Sequence, residues 1–77
     1  MKIGKVIGKV WATKKHPALP AGAYVLLQLS VNESLVALDG LGAGVGDEAL
    51  IVTGSVAARL CDGAVDAVVV GIVDPVK

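Results

Sequence analysis

Glycine takes every second position in Asp39-Gly-Leu-Gly-Ala-Gly-Val-Gly46, and no other stretch of the chain restricts the fold as much. Gly40, Gly42, Gly44 and Gly46 place no side-chain restraint on the backbone and admit positive φ, so the segment reads as a tightly folded loop and not as a helix or a packed strand. It runs into Asp47-Glu48 and lies between two strand-like segments. A loop of this build serves as a nest of N–H groups for an anion, as a sharp turn, or as a point where a neighbouring chain comes close.

Phosphate binding is the sharpest of these readings, and the residues argue against it. A P-loop needs Lys-Ser/Thr after its glycines, and a dinucleotide fingerprint needs a helix opening directly from them. Here the exit is Asp47-Glu48, which repels phosphate. A structural or oligomer-lining loop is the better expectation.

The chain has 77 residues, 55% of them hydrophobic, with a formal net charge of zero. That length makes one small domain spanning residues 1–77. A domain so small has much surface for its volume, so the apolar excess is expected to be buried between subunits. No segment approaches the roughly 20 apolar residues of a membrane span, and Met1-Lys2-Ile3-Gly4-Lys5 leads into alternation and not into a signal-peptide core. The expectation is a soluble, unsecreted protein. The single cysteine, Cys61, forms no internal disulfide and reads as a small buried apolar side chain.

Charge is segregated along the chain. Lys2, Lys5, Lys9, Lys14 and Lys15 precede every acid, and all seven acids lie from Glu33 onward. With Trp11 and Tyr24 as the only aromatics, the lysines suit a solvated strand face complementary to a neighbour's acidic side better than a nucleic-acid arm.

From Gly4 to Thr13 the residues alternate, placing Val6, Gly8, Val10 and Ala12 inward and Lys5, Ile7, Lys9, Trp11 and Thr13 outward. Trp11 and Ile7 on that outer face are interface candidates, with a core tryptophan as the alternative. Lys14 to Gly22 is a connecting loop because its prolines and glycine deny it ladder hydrogen bonds, and His16 stands alone there without a second ligand or an acid–base partner. Tyr24 to Leu29 reads as a second strand with Val25, Leu27 and Leu29 inward. Val31 to Ser34 is then a turn into a third strand, Leu35 to Leu38. Ala49 to Thr53 and Ala67 to Val73 follow, apolar on both faces, which implies an outer cover supplied by another subunit. Between them Gly54 to Cys61 supports about two helical turns, with Ser55 as N-cap, Asp62-Gly63 as stop and Arg59 near the C-terminal end. The fold expected is all-β: a small, closed barrel of about five strands, similar to the oligonucleotide/oligosaccharide-binding (OB) barrel, with one short helix between the fourth and fifth strands.

Five ordered blocks now carry a resemblance: Lys5-Val6-x-Gly8-x-Val10-x-x-Thr13-x-Lys15-x-Pro17-x-Leu19; Leu26-Leu27; Ala37-x-Asp39-x-x-Gly42-Ala43-Gly44-x-Gly46; Gly54-Ser55; and Val70-Gly71-Ile72-Val73-Asp74. Together they resemble the bacterial microcompartment vertex family, the small shell proteins of carboxysomes and of ethanolamine- and propanediol-type metabolosomes. The resemblance implies an OB-like barrel, a cyclic pentamer, and a structural role closing the vertices of a shell tiled by hexamer-forming proteins in the bacterial cytoplasm. It implies no catalysis, no cofactor, no metal, no nucleic acid and no membrane. The family's glycine-rich loop falls on Gly42, Ala43, Gly44, Val45 and Gly46, which the resemblance places near the central axis of the ring. Members commonly open the helix as Gly-Ser-small-Ala-Arg, whereas here Arg59 comes one residue later. Ile7, Trp11, Lys15, Asp47, Glu48 and Arg59 are the subunit-interface candidates. The rival reading is an OB-type module for single-stranded nucleic acid or a small anion, which calls for a basic groove and several aromatic platforms. A small enzyme is the third class, and no paired carboxylates, activated nucleophile or metal set lie close together in sequence.

Overall fold

A computed structural model describes residues 1–11, 16–18, 22–60 and 65–74. Among these residues the chain forms β1 (Lys2–Val10), β2 (Ala23–Ser30), β3 (Glu33–Asp39), β4 (Glu48–Thr53), α1 (Ser55–Leu60) and β5 (Ala67–Val73). The strands close into a barrel in the order β1-β2-β3-β5-β4, with β4 returning to β1. Only β3 and β5 run parallel; the other neighbours are antiparallel. The parallel pair follows from the connection, because β4 and α1 together carry the chain far enough to bring β5 back in the direction of β3. The expected OB-like barrel, with its helix between the fourth and fifth strands, is the observed fold.

Inside the barrel, Val6, Val25, Leu27, Ala37, Ala49, Ile51, Ala67 and Val69 form one cluster, with Leu29 and Leu35 packed against it. Val25 and Leu27 lie two apart, as a strand with one buried face requires. Full burial of the large members, Leu27, Ile51, Val6 and Val25, contributes about 1.5–3 kcal/mol each against exposure. Gly4 belongs to this interior for lack of room: a Cβ there would stand 2.8 Å from Leu29 Cδ2 and 3.0 Å from Ile51 Cδ1.

The first strand departs from strict alternation. Val6 pairs with Leu27 but Gly8 pairs with Leu26, so Ile7 is an extra residue and the facing reverses beyond it. Gly4 and Val6 are buried as alternation requires, whereas Val10 pairs with the outer-face Tyr24 and is exposed instead of lining the interior. A bulge depends on how β1 meets β2, which the alternation within β1 does not encode. Trp11 lies just past the strand end and is 87% exposed, so its position comes from termination of the strand and not from the facing inferred for it. Ala12 and Thr13, assigned to the same strand, lie outside the described residues.

Two further boundaries shift. Glu33 and Ser34 belong to β3 and not to the turn, which shortens the β2–β3 connection to Val31-Asn32. At α1 the cap position falls to Gly54: its carbonyl accepts the Ala58 N–H at 3.1 Å and its φ is 70°, which puts Ser55 inside the first turn. The Gly54 N–H donates to the Asp66 carbonyl at 2.8 Å and so ties the start of α1 to the approach to β5. Asp62-Gly63, the expected stop, and Cys61 lie outside the described residues.

Part of the cover expected from another subunit comes from the chain itself. Tyr24, Leu38, Val68 and Val52 form one outward row across β2, β3, β5 and β4, by direct cross-strand pairing. Ala57 of α1 and Val65 pack onto that row as a second small core. The row centred on Leu26 and Val36 has no place in that cluster, and Val36 stays exposed.

Candidate functional site

The glycine-rich loop is built around one side chain, Asp39, the last residue of β3 and only 4% exposed. Its Oδ1 accepts the N–H groups of Leu41 at 2.9 Å and Gly42 at 3.2 Å, and its Oδ2 accepts that of Ala43 at 2.7 Å. An aspartate opening a turn in this way satisfies donors that the end of the strand leaves free. The same device recurs at the far end, where Asp47 Oδ2 accepts the Gly44 N–H at 2.9 Å while the Asp47 N–H donates to the Gly44 carbonyl at 3.0 Å. Gly46 donates to the Val6 carbonyl at 2.8 Å and Val6 donates to the Asp47 carbonyl at 2.9 Å, so the loop exit extends the β4 ladder along β1.

Consequently the loop is a nest that its own carboxylates fill. The amides of Leu41, Gly42, Ala43, Gly44, Gly46 and Asp47 are all committed within the chain. A phosphate would have to displace Asp39, which is buried, from the donors it needs. In sequence Asp39 stands out only as part of a motif. Its position at the mouth of a glycine run is the available signal, since Asp is a usual initiator of such turns.

Of the five loop candidates, Gly42 and Gly46 have φ of 81° and 98°, which a side-chain-bearing residue resists. Gly44 has neither positive φ nor a close backbone neighbour within its own chain; its nearest would-be contact is Asp47 Oδ2 at 3.7 Å. Ala43 is fully buried and belongs to the barrel core, so it presents no side chain outward. Val45 is 66% exposed at the loop tip.

The interface candidates fall in several places. Asp47 is half-buried and held by the loop, and Glu48 opens β4 directly across from Lys5, an opposite-charge pair within one chain. Ile7 is exposed on the bulge next to Val6, which receives the loop. Trp11 lies past the other end of β1, and Arg59 is exposed in the last turn of α1, apart from the loop. Lys15 lies outside the described residues. Among the described residues no group of three His, Cys, Asp or Glu side chains could hold a metal ion, and no helix is long and apolar enough to cross a membrane.

Comparison with known proteins gives this architecture a context. The family described as ethanolamine utilisation protein EutN/carboxysome matches residues 1–74. The carboxysome shell vertex protein CcmL of Gloeobacter violaceus is 38% identical, over 100% of this chain and 86% of its own length. The bacterial microcompartment shell vertex protein GrpN of Rhodospirillum rubrum is 39% identical, over 100% of this chain and 97% of its own. The solved GrpN structure, a pentameric microcompartment shell protein, superposes with a TM-score of 0.84 at 35% identity and covers 100% of this chain and 98% of the GrpN chain. These relatives are structural shell proteins and not enzymes, and none of them favours the nucleic-acid or anion-binding module.

Proposed function

This chain belongs to the EutN/carboxysome family of microcompartment shell vertex proteins, and from that membership we propose that it assembles as a cyclic homopentamer closing the vertices of a polyhedral shell. The observation that carries the reading is the agreement in fold with the pentameric GrpN across the whole chain. The barrel closes between β3 and β5 through Leu38–Val68 and Asp39–Val69 alone, and a ring needs two different surfaces on each copy. The exposed apolar residues of this chain, Ile7, Trp11, Val36, Val56 and Leu60 among them, supply apolar surface for such contacts.

In this role the loop of Gly42, Gly44, Val45 and Gly46 faces the ring axis, where small residues let several backbones converge, while Ala43 anchors it to the barrel. Ile7, Trp11, Lys15, Asp47, Glu48 and Arg59 contribute to contacts between copies. The ring's outer partners are hexamer-forming shell proteins, and the setting is the shell of a compartment in the bacterial cytoplasm. Co-expression with hexamer-forming shell proteins tests the capping role. Closed particles that depend on this chain support it, and shells that close equally well without it refute it.

A further inference from the structure

Gly8 stands in the middle of β1 with no reason inside its own chain to be glycine. Its φ is not positive, and a Cβ built there meets nothing within 4 Å. Gly4, four residues earlier, is the contrast, since its own core would collide with a Cβ. The bulge at Ile7 does not explain Gly8 either, because the bulge type that demands glycine places it at positive φ. Glycine inside a strand weakens it, so a glycine that neither conformation nor packing requires points to something approaching the backbone from outside.

The surroundings fit an interface. Gly8 pairs with Leu26, which pairs with Val36, giving an outward row with a gap at one end. Ile7 beside the gap is 42% exposed and Val36 is 44% exposed, in the part of the outer face that α1 leaves uncovered. Lys9 follows Gly8 on the same strand, Lys5 lies across from Glu48 of β4, and β1 itself has no acid.

We propose that Gly8 marks the point of closest approach of a second copy of this chain, whose surface fills the gap between Ile7, Leu26 and Val36. The inference rests on the ring assembly proposed above and specifies one of its two contacting surfaces. A second copy is the occupant that the charges favour. Among the described residues the exposed acids Glu33, Asp66 and Asp74 lie outside β1 and its cross-strand partner Glu48, so an identical neighbour can bring negative charge to a strand that carries only positive. It also brings apolar surface in kind, for example the exposed Val56 and Leu60 of α1, one helical turn apart.

The test compares Gly8→Leu and Gly8→Ala with the parent 77-residue chain by native mass spectrometry across a dilution series, with far-UV circular dichroism as the control for folding. Gly8→Leu is expected to keep the parent's β-sheet signal and to dissociate into folded single chains, its assembly midpoint moving by about 30-fold or more. Gly8→Ala is expected to fold and to assemble with an intermediate midpoint. Either variant assembling at the parent's midpoint overturns the proposal. Loss of β signal in both overturns it as well, since it would place the role of Gly8 inside the barrel. A parent that is itself a single chain refutes the ring, and the comparison of variants then has no assembly to act on; that outcome is distinct from failure at Gly8 alone and removes the inference with its premise.

Discussion

The Asp39 carboxylate accepts the Ala43 N–H at 2.7 Å, and this contact fixes the loop residue buried in the barrel core to the residue that ends β3. Both partners are buried, so the bond is shielded from water, and the two further amides on Oδ1 leave the carboxylate without an equivalent arrangement elsewhere.

Replacing Asp39 by Ala leaves three loop amides without their acceptor, and the Ala43 amide among them is buried. Hydrogen bonds to a charged group contribute about 1.5–3 kcal/mol, and the loop can recover part of that by opening to water, so a loss of roughly 3 kcal/mol is expected. Urea unfolding of parent and variant at one fixed protein concentration checks it. A variant within about 0.5 kcal/mol of the parent would mean that the loop holds its shape without Asp39.

How much of this is legible in sequence depends on how local the cause is. β5 is found at Ala67–Val73 as expected, because a long apolar run bounded by turn residues identifies itself. The helix between β4 and β5 is legible as a short segment from Gly54 onward, although its cap falls on Gly54 and not on Ser55. The bulge at Ile7 is not, since it exists only in the pairing of β1 with β2, and from that point the assigned facing of Val10 fails. Glu33 and Ser34 read as turn residues by polarity, yet pairing with Ser30 and Gln28 draws them into β3. At the loop, glycine content announces a tight turn but does not reveal which glycines need to be glycine, nor that Asp39 fills the nest.

Gly46 and Gly44 should separate by conformation. At φ 98° an added Cβ is strained, so Gly46→Ala is expected to cost the fold about 1–2 kcal/mol. Gly44→Ala, with ordinary space around its Cβ, should stay within about 0.5 kcal/mol. The larger Gly44→Val is expected to disturb assembly more than the barrel, because Gly44 has room within its own chain and the proposed ring would bring other copies against it. Equal losses of thermal stability for Gly46→Ala and Gly44→Ala would contradict the backbone assignment.

The collision at Gly4 supplies an independent check on the core. Leu27 Cβ, 3.3 Å from where a Gly4 Cβ would stand, belongs to a paired strand and cannot swing away as the ends of Leu29 and Ile51 can. Gly4→Ala is therefore expected to destabilise the barrel by about 1–3 kcal/mol through overpacking. A neutral effect in thermal unfolding would show that the interior has more room than the register implies.

Trp11 tests the interface from the other end of β1. An indole exposed to this extent in the single chain gains most from burial against a neighbour, and Trp11→Glu replaces it by a carboxylate that such a contact would desolvate. The expected loss is on the order of a few kcal/mol at each interface of the ring, with the barrel intact. Light scattering should find small species that keep the β-sheet dichroism. Unfolding would contradict the exposed position of Trp11, and unchanged assembly would leave it facing solvent.

The mass of the 77-residue chain under native conditions shows the ring or its absence without any substitution. A ring gives one dominant species of five copies of the 7.7 kDa chain, stable to dilution through the micromolar range. A folded single chain at those concentrations would contradict it.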